Sequence, residues 1–559
     1  MRKINIAFVQ RIKEIKFMEN SIPKDIVWIP LNLETYIYLL DNKKKYMELS
    51  EILDNDLHSK SLKESEKIIS KLKKKFKGED FLEIRLVNIV RKYFNSIFLI
   101  IQIIESIKKK FKINKIFLSG WDIYDLKDIK NNFIVSRIVK ELYSKQFKIN
   151  LLSKIKYINN DTELHYHNFK KIKGTFIYIN NLGYNFFRLV KANIFSKTKI
   201  VTIDDGKLNF IKKIIFNLLG VRLLKLKTVK NNGKRNKSFL KLPVVDYKFK
   251  NLNLKNLFLH RNLQISVELK SLLNLKLTLT KFLVANKPKM IFLNFTRGIN
   301  SFLISFSKKE NIPCILIPHG TLSHQKKRNG KIYNSIIAEE IASSKCTNSA
   351  QTKISSNFFK NNFNKKNYID TGNLIFSEEK KNNKQKSYVL YAVTNRDFIN
   401  TQFFGIETYY EFFSNLKALD KISRKRNIKI IVKLHPGVSY LSNQLKKQFN
   451  FLIFENNHLE KLLKNAKFTI SFSSTAIEDS LCSNVPVILF DQWKRYNHCA
   501  ANNKINYKDS VIYLDSVKKL DKYLSQIKNI KSVNQYKDLK KYVFKNNPNN
   551  NFKSLLPKF

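Results

Sequence analysis

Short runs rich in Ile, Val, Phe and Tyr recur along the chain, separated by Lys-rich stretches of helical length. Ile26 to Pro30, Ile116 to Ser119, Phe176 to Ile179, Lys199 to Ile203, Met290 to Asn294 and Cys314 to Ile317 form one series of this kind. A second series comprises Tyr388 to Val393, Ile428 to Leu434, Phe451 to Phe454, Phe468 to Phe472 and Pro486 to Phe490. Continuous apolar runs suit strands buried on both faces, and their alternation with helices predicts α/β units with parallel sheets. Between the two series, Ser377 to Lys386 is polar, charged and without period, as a linker is. The pattern divides the chain into an N-terminal Rossmann-like domain over 1–376 with extra N-terminal elements, a linker over 377–386 and a C-terminal Rossmann-like domain over 387–532. A tail over 533–559 follows, nearly all Asn and Pro from Asn546 to Asn551, with little to bury at its end.

The 559 residues exceed one ordinary core, and 43% hydrophobic content is normal for a globular chain. The formal charge of +60 is spread along the sequence as lysine, which an AT-rich coding bias would also produce. Such a charge attracts anions, whether nucleic acid, acidic polymer or an anionic membrane. No zinc spacing, RNA-binding sheet signature or basic zipper points to specific nucleic acid. Basic runs at Lys73 to Lys75 and Lys108 to Lys110 suit an anionic membrane surface as well as solvated helix faces. The most apolar segment, Ile97 to Ile104, falls short of the roughly 20 residues a bilayer needs and reads as a buried helix. With no signal-peptide pattern at Met1 and four scattered cysteines (Cys314, Cys346, Cys482 and Cys499), a reduced cytoplasmic setting is expected, with peripheral docking on the inner membrane face.

Candidate chemistry gathers where strands end. The Phe468 run passes into Ser473, Ser474 and Thr475 at the mouth of a helix, whose unpaired amides and partial positive charge make a seat for phosphate. Glu478 follows Thr475 by three, so the same residues also read as a capping box. The Ile428 run ends at Lys433, His435 and Pro436, placing a cation and an imidazole at a strand end. In the first series, Asp204 and Asp205 precede Gly206, as a general base or as ordinary turn residues. Cys314 to Thr321 breaks at Pro318 and carries His319, Gly320 and Thr321, with Arg297 and Gly298 after the preceding strand. His165 and His167 are a weak metal signal, and no acidic cage predicts a metal or other cofactor. Asn395, Asp491 and Gln492 follow strands of the second series and are further cleft candidates.

Lys433-Leu-His-Pro436 with Ser473-Ser-Thr-Ala-Ile-Glu-Asp-Ser-Leu-Cys-Ser-Asn-Val-Pro-Val-Ile488 resembles the nucleotide-binding domain of GT-B glycosyltransferases of bacterial surface polysaccharide synthesis, capsular or lipopolysaccharide. Within that group the chain is similar to the sialyl-, polysialyl- and Kdo-transferases and to the CDP-glycerol glycerophosphotransferases. The resemblance implies two Rossmann-like domains facing a cleft, with His435, Ser473, Ser474 and Thr475 on the nucleotide and phosphates; Lys433 and Pro436 are expected to complete that seat and Glu478 to meet the ribose. The expected base is Asp205, Asp204 or His319, and the similar sialyltransferases carry an acidic pair before glycine that serves as base. His319-Gly320-Thr321 matches a glycerophosphotransferase motif, with Pro318 where tryptophan often stands. The expected activity is metal-independent transfer of a sugar from a CMP-, CDP- or UDP-linked donor to a glycan or lipid-linked acceptor. The alternatives are a CDP-glycerol-type polyol-phosphate transferase, a nucleotide-sugar epimerase and a non-enzymatic polyanion-binding protein.

Overall fold

The computed structural model describes residues 1–54, 56–124, 132–153, 162–165, 172–180, 199–204, 210–225, 227–230, 242–318, 322–324, 330–372, 387–393, 407–494, 498–501, 506–526 and 538–544. The expected linker over 377–386 and the end of the tail lie outside them. Three parallel sheets organise the chain. The first contains β1 (Lys3–Val9), β2 (Val27–Pro30), β3 (Lys112–Leu118) and β4 (Lys148–Leu151) in the order β2-β1-β3-β4. β5 (Thr162–His165) then anticipates a short antiparallel ribbon with a later strand.

The second sheet begins with β6 (Phe176–Ile179), β7 (Lys199–Asp204) and β8 (Val221–Lys225); β9 (Lys227–Lys230) completes the ribbon with β5. After a hairpin of β10 (Lys248–Phe249) and β11 (Leu252–Asn253), the sheet is extended on its other side by β12 (Met290–Leu293), β13 (Cys314–Leu316), β14 (Thr347–Ala350) and β15 (Tyr368–Asp370). Its order is β15-β14-β13-β12-β6-β7-β8. The third sheet contains β16 (Tyr388–Ala392), β17 (Ile430–Lys433), β18 (Leu452–Glu455), β19 (Ala466–Ser471), β20 (Val487–Phe490) and β21 (Val511–Leu514) in the order β18-β17-β16-β19-β20-β21.

The strands form where the apolar runs predict them. Every residue of β6, β12, β16 and β20 is buried, as double-faced burial requires. The correction concerns membership: the Ile26 and Ile116 runs do not share a sheet with the Phe176 run, because they pair with β1 in a sheet of their own. In each sheet the chain starts at an inner strand, builds to one side, then returns to the other. The order therefore reverses between β1 and β3, between β6 and β12, and between β16 and β19. Beyond the carboxyl ends of such strand pairs, α/β sheets open a crevice.

The carboxyl edges of the second and third sheets face one another. After β14, Thr352 Oγ1 donates to Glu478 Oε2 of the helix following β19 at 2.9 Å; after β13, Ser323 Oγ donates to the His498 carbonyl beyond β20. Two Rossmann-like units opposed in this way are the GT-B arrangement. The first sheet packs on both. Asp122 pairs with Arg261 of the long Lys255–Ala285 helix, while Tyr36 rests against Tyr409 and Phe413 and Tyr409 donates to the Pro30 carbonyl at 2.9 Å.

The Ile97 run belongs to a helix longer than its apolar core suggests, Asp80–Lys110. By length and hydropathy this helix can cross a bilayer, yet 94% of its most apolar window is buried inside the protein. Of the tail, Tyr542 and Val543 are buried against Ile354, Ile477 and Leu481.

Candidate active site

At the β16/β19 reversal, Ser471 Oγ donates to the Ala392 carbonyl at 2.9 Å, holding the two strand ends together. The chain then turns through buried Ser473 into the Thr475–Cys482 helix. Ser474 is its N-cap: the backbone is extended (φ −165°) and Oγ accepts from the Ala476 amide at 3.1 Å. Thr475 is the exposed first helical residue. This corrects the capping-box reading, because Ser474 rather than Thr475 holds the cap and Glu478 does not reach back.

Glu478 points elsewhere. Its buried carboxylate accepts from Thr352 and lies 3.5 Å from His498 Nε2. Thr352 itself caps the Lys353–Asn362 helix, so Glu478 joins the two facing units at a helix start.

On the other side of β16, Lys433 lies level with Ala392. Its half-buried ammonium donates to the Leu434 carbonyl at 3.3 Å, and burial lowers its pKa from the usual lysine range. An anion nearby would reverse that lowering. His435 is exposed at the head of the short Pro436–Leu441 turn, where Nδ1 accepts from the Gly437 amide at 3.1 Å. The bond leaves Nε2 as the nitrogen that carries the proton in the neutral ring. A Cβ on Gly437 would stand 3.2 Å from Nδ1, so a side chain there would press on the imidazole. Thus Lys433 and His435 end one strand neighbouring β16, and Ser473, Ser474 and Thr475 follow the other.

Behind this edge lies a polar layer that includes the expected Asp491 and Gln492, while sequence reasoning missed their partners Asn415 and Tyr513. Asn415, buried on the Glu407–Arg426 helix, donates to Tyr391 Oη at 3.2 Å and accepts from Gln492 Nε2. Asp491, also buried, accepts from Tyr513 Oη at 3.5 Å. Burial and the Asp491 carboxylate both push the Tyr513 pKa up. Gln492 is therefore held by an Asn415 that Tyr391 steadies in turn, and Asp491 faces a phenol.

Across the cleft, the β6/β12 reversal is lined with amides: Asn180 accepts from Tyr178 Oη at 3.1 Å and donates to Asn300. Gly298 adopts φ 63° and ψ −132°, a conformation reserved for glycine, and turns the chain into the Ile299–Lys309 helix. Arg297 is already engaged, its Nε 3.6 Å from Glu340 Oε2. Burial raises the Glu340 pKa, but Arg297, Arg91 and Lys92 outweigh it and hold the carboxyl below the usual range.

Asp205, His319, Gly320, Thr321 and Asn395 lie outside the described residues, as does His167; Asp204 is described only as backbone at the end of β7. Gln351 Nε2 donates to the Pro318 carbonyl at 3.1 Å, just before the His319 segment.

No protein-family model and no curated protein matches the chain. Among solved structures, it is similar to the UDP-GlcNAc 2-epimerase of Methanocaldococcus jannaschii in complex with UDP-GlcNAc and UDP, at 14% identity over 68% of this chain and 98% of that one, with a TM-score of 0.38. It is also similar to a variant of the wall teichoic acid polymerase TagF, at 14% identity over 68% and 87%, with a TM-score of 0.38. The UDP-GlcNAc 2-epimerase of Neisseria meningitidis bound to UDP-GlcNAc matches at 10% identity over 67% and 95%, with a TM-score of 0.36. Overlap of this extent carries no reaction from those proteins to this one.

Proposed function

We propose that the chain is a glycosyltransferase that holds a nucleotide-activated sugar at the β16/β19 crevice and transfers the sugar to a hydroxyl of a surface glycan or lipid-linked acceptor. One observation carries the reading: Lys433 and His435 end the strand on one side of β16, Ser473 to Thr475 follow the strand on the other, and a second Rossmann-like sheet faces them across a cleft.

The chemistry asks for little more. A leaving nucleoside phosphate needs positive potential, which the Thr475–Cys482 helix start and the Lys433 ammonium supply without a metal. The His435 Nε2 proton is a donor for a phosphate oxygen. The acceptor hydroxyl must lose one proton, a task for Asp205, Asp204 or His319 from the facing unit. Holding donor and acceptor together across the cleft lowers the entropic part of the barrier.

The test is the thermal shift of the whole chain and of His435→Ala with CMP, CDP, UDP, GDP and dTDP. Stabilisation by one nucleotide, lost in the variant, supports the reading and names the donor class. No shift with any nucleotide would sink it in favour of polyanion binding. Turnover with the matching donor should survive a chelator; its loss would overturn metal independence. Reaction of the donor without an acceptor would identify an epimerase instead.

A further inference from the structure

We infer that the Phe210–Leu218 helix is a membrane-docking element that lies in the interface of an anionic bilayer. The helix precedes β8, the last strand at one edge of the second sheet. It is anchored by Phe216, which is buried on that sheet against residues such as Ile200 and Val221. On the opposite side Phe210, Ile211, Ile214, Ile215, Leu218 and Leu219 are exposed, Phe210 by 77% and Leu218 by 81%.

At about 100° per residue these six side chains cover roughly half the circumference, with Lys213 and Asn217 on the flank. A helix bathed in water normally presents the reverse pattern. Contiguous apolar exposure of this kind marks a binding surface.

Charge selects the occupant. From Lys207 to Lys241 the chain holds eleven basic residues and no acidic one, among them Lys212, Lys213, Arg222, Lys225 and Lys227. An apolar stripe for the acyl boundary, in a stretch of sequence that is basic without an acid, is the chemistry of a helix lying in an anionic membrane plane. Nine residues reach about 14 Å, too short to span.

The lysine runs at Lys73 to Lys75 and Lys108 to Lys110 also make contacts within the protein. Lys73 pairs with Glu339 at 2.6 Å, Lys108 pairs with Glu105 at 3.1 Å, and both runs close the C-terminal turns of long helices.

The experiment is flotation of the full chain with phosphatidylglycerol-containing vesicles and with pure phosphatidylcholine vesicles, at several salt concentrations. It is repeated for Phe210→Ser/Ile211→Ser/Leu218→Ser, whose targets are exposed, with thermal melts to verify folding. Binding to the anionic vesicles is expected, with partitioning more than about tenfold weaker in the folded triple variant. Failure of the wild type to float, or equal flotation of the variant, would overturn the proposal. So would a wild-type dimer in sedimentation that the variant breaks without any change in lipid binding, since the stripe would then cover a second copy. Nucleotide binding is read separately, so this result and that of the donor site stand apart.

Discussion

The first and third sheets are built alike and finished differently. Each is parallel and reverses its strand order beside its first strand, opening a crevice beyond the carboxyl ends. In the first, the chain fills that crevice itself. Glu14 accepts from the Gln10 amide at 2.6 Å and the Arg11 amide at 3.2 Å, while Ser119 Oγ donates to its other oxygen at 2.7 Å. Gln10 Oε1 accepts from the Ile134 and Val135 amides at 2.8 and 3.3 Å, satisfying the start of the Val135–Tyr143 helix. A carboxylate and an amide thus sit where a ligand anion would otherwise find its donors. In the third sheet the corresponding helix start is capped only by short Ser474, with Thr475 exposed and Lys433 and His435 two strands away. Among the described residues, similar scaffolds therefore yield one crevice stoppered by Glu14 and Gln10 and one whose helix start is left to a short serine, and the difference lies in which side chains follow the strands.

The strongest way to break this comparison is to pull the stopper. Glu14→Ala removes a fully buried carboxyl and strands two amides and a hydroxyl, which should cost about 3 kcal/mol of folding stability. Denaturant melts at pH 6 measure it, and nucleotide affinity should be unchanged. A tenfold loss of affinity in a folded Glu14→Ala protein would mean that the first crevice belongs to the site.

The stopper also carries a pH signature. Burial raises the Glu14 pKa from 4.5 to about 7, against the lowering effect of its hydrogen bonds from Gln10, Ser119 and Arg11. Because the folded pKa lies above the unfolded one, the native state holds the proton more tightly. Stability relative to Glu14→Gln should therefore fall as pH rises from about 4.5 to 7 and level off above it, by an amount on the order of 3 kcal/mol. Paired melts across that range are the check. A difference that is flat, or that grows with pH, would show that the carboxylate is ionised in the fold.

In the third sheet, if the proposed donor site is right, Lys433→Ala should weaken nucleotide binding about thirtyfold, or ~2 kcal/mol, the scale of a hydrogen bond to a charged group. Calorimetric titration reads the affinity. Wild-type affinity in the variant would move the phosphate away from β17.

How much of this contrast was legible beforehand depends on what kind of contact made it. Strand ends such as Lys433-Leu-His-Pro436 and Ser473-Ser-Thr475 stand out because an apolar run stops abruptly at polar residues, a local signal. β14 does not: its Thr-Asn-Ser-Ala sequence lacks an apolar run, and Asn348 steadies it by donating to the carbonyls of Ser343 and Asn367. The separate first sheet was hidden because β1 and β3 pair across more than a hundred residues. Glu14 was invisible for the same reason, since Ser119 reaches it only in the fold. Glu478 shows the converse. Its spacing from Thr475 spelled a local cap, and a distant threonine claimed its carboxylate.

The smallest expected effect tests the finishing itself. Ser474→Ala removes the only side-chain cap of the Thr475–Cys482 helix and should cost about 1 kcal/mol of stability, whereas Ser474→Gly should cost only a few tenths, because glycine tolerates the extended N-cap backbone and leaves the amide to water. If the helix start is also the anion seat, bound nucleotide supplies the Ala476 amide with an acceptor that the cap no longer provides. The gap between Ser474→Ala and wild type should then narrow when melts are repeated with saturating nucleotide. Were Ser474 instead a ligand contact in its own right, the same ligand would widen the gap, since wild type would gain a bond that the variant cannot make. The sign of that change separates a serine that substitutes for the anion from one that helps to hold it.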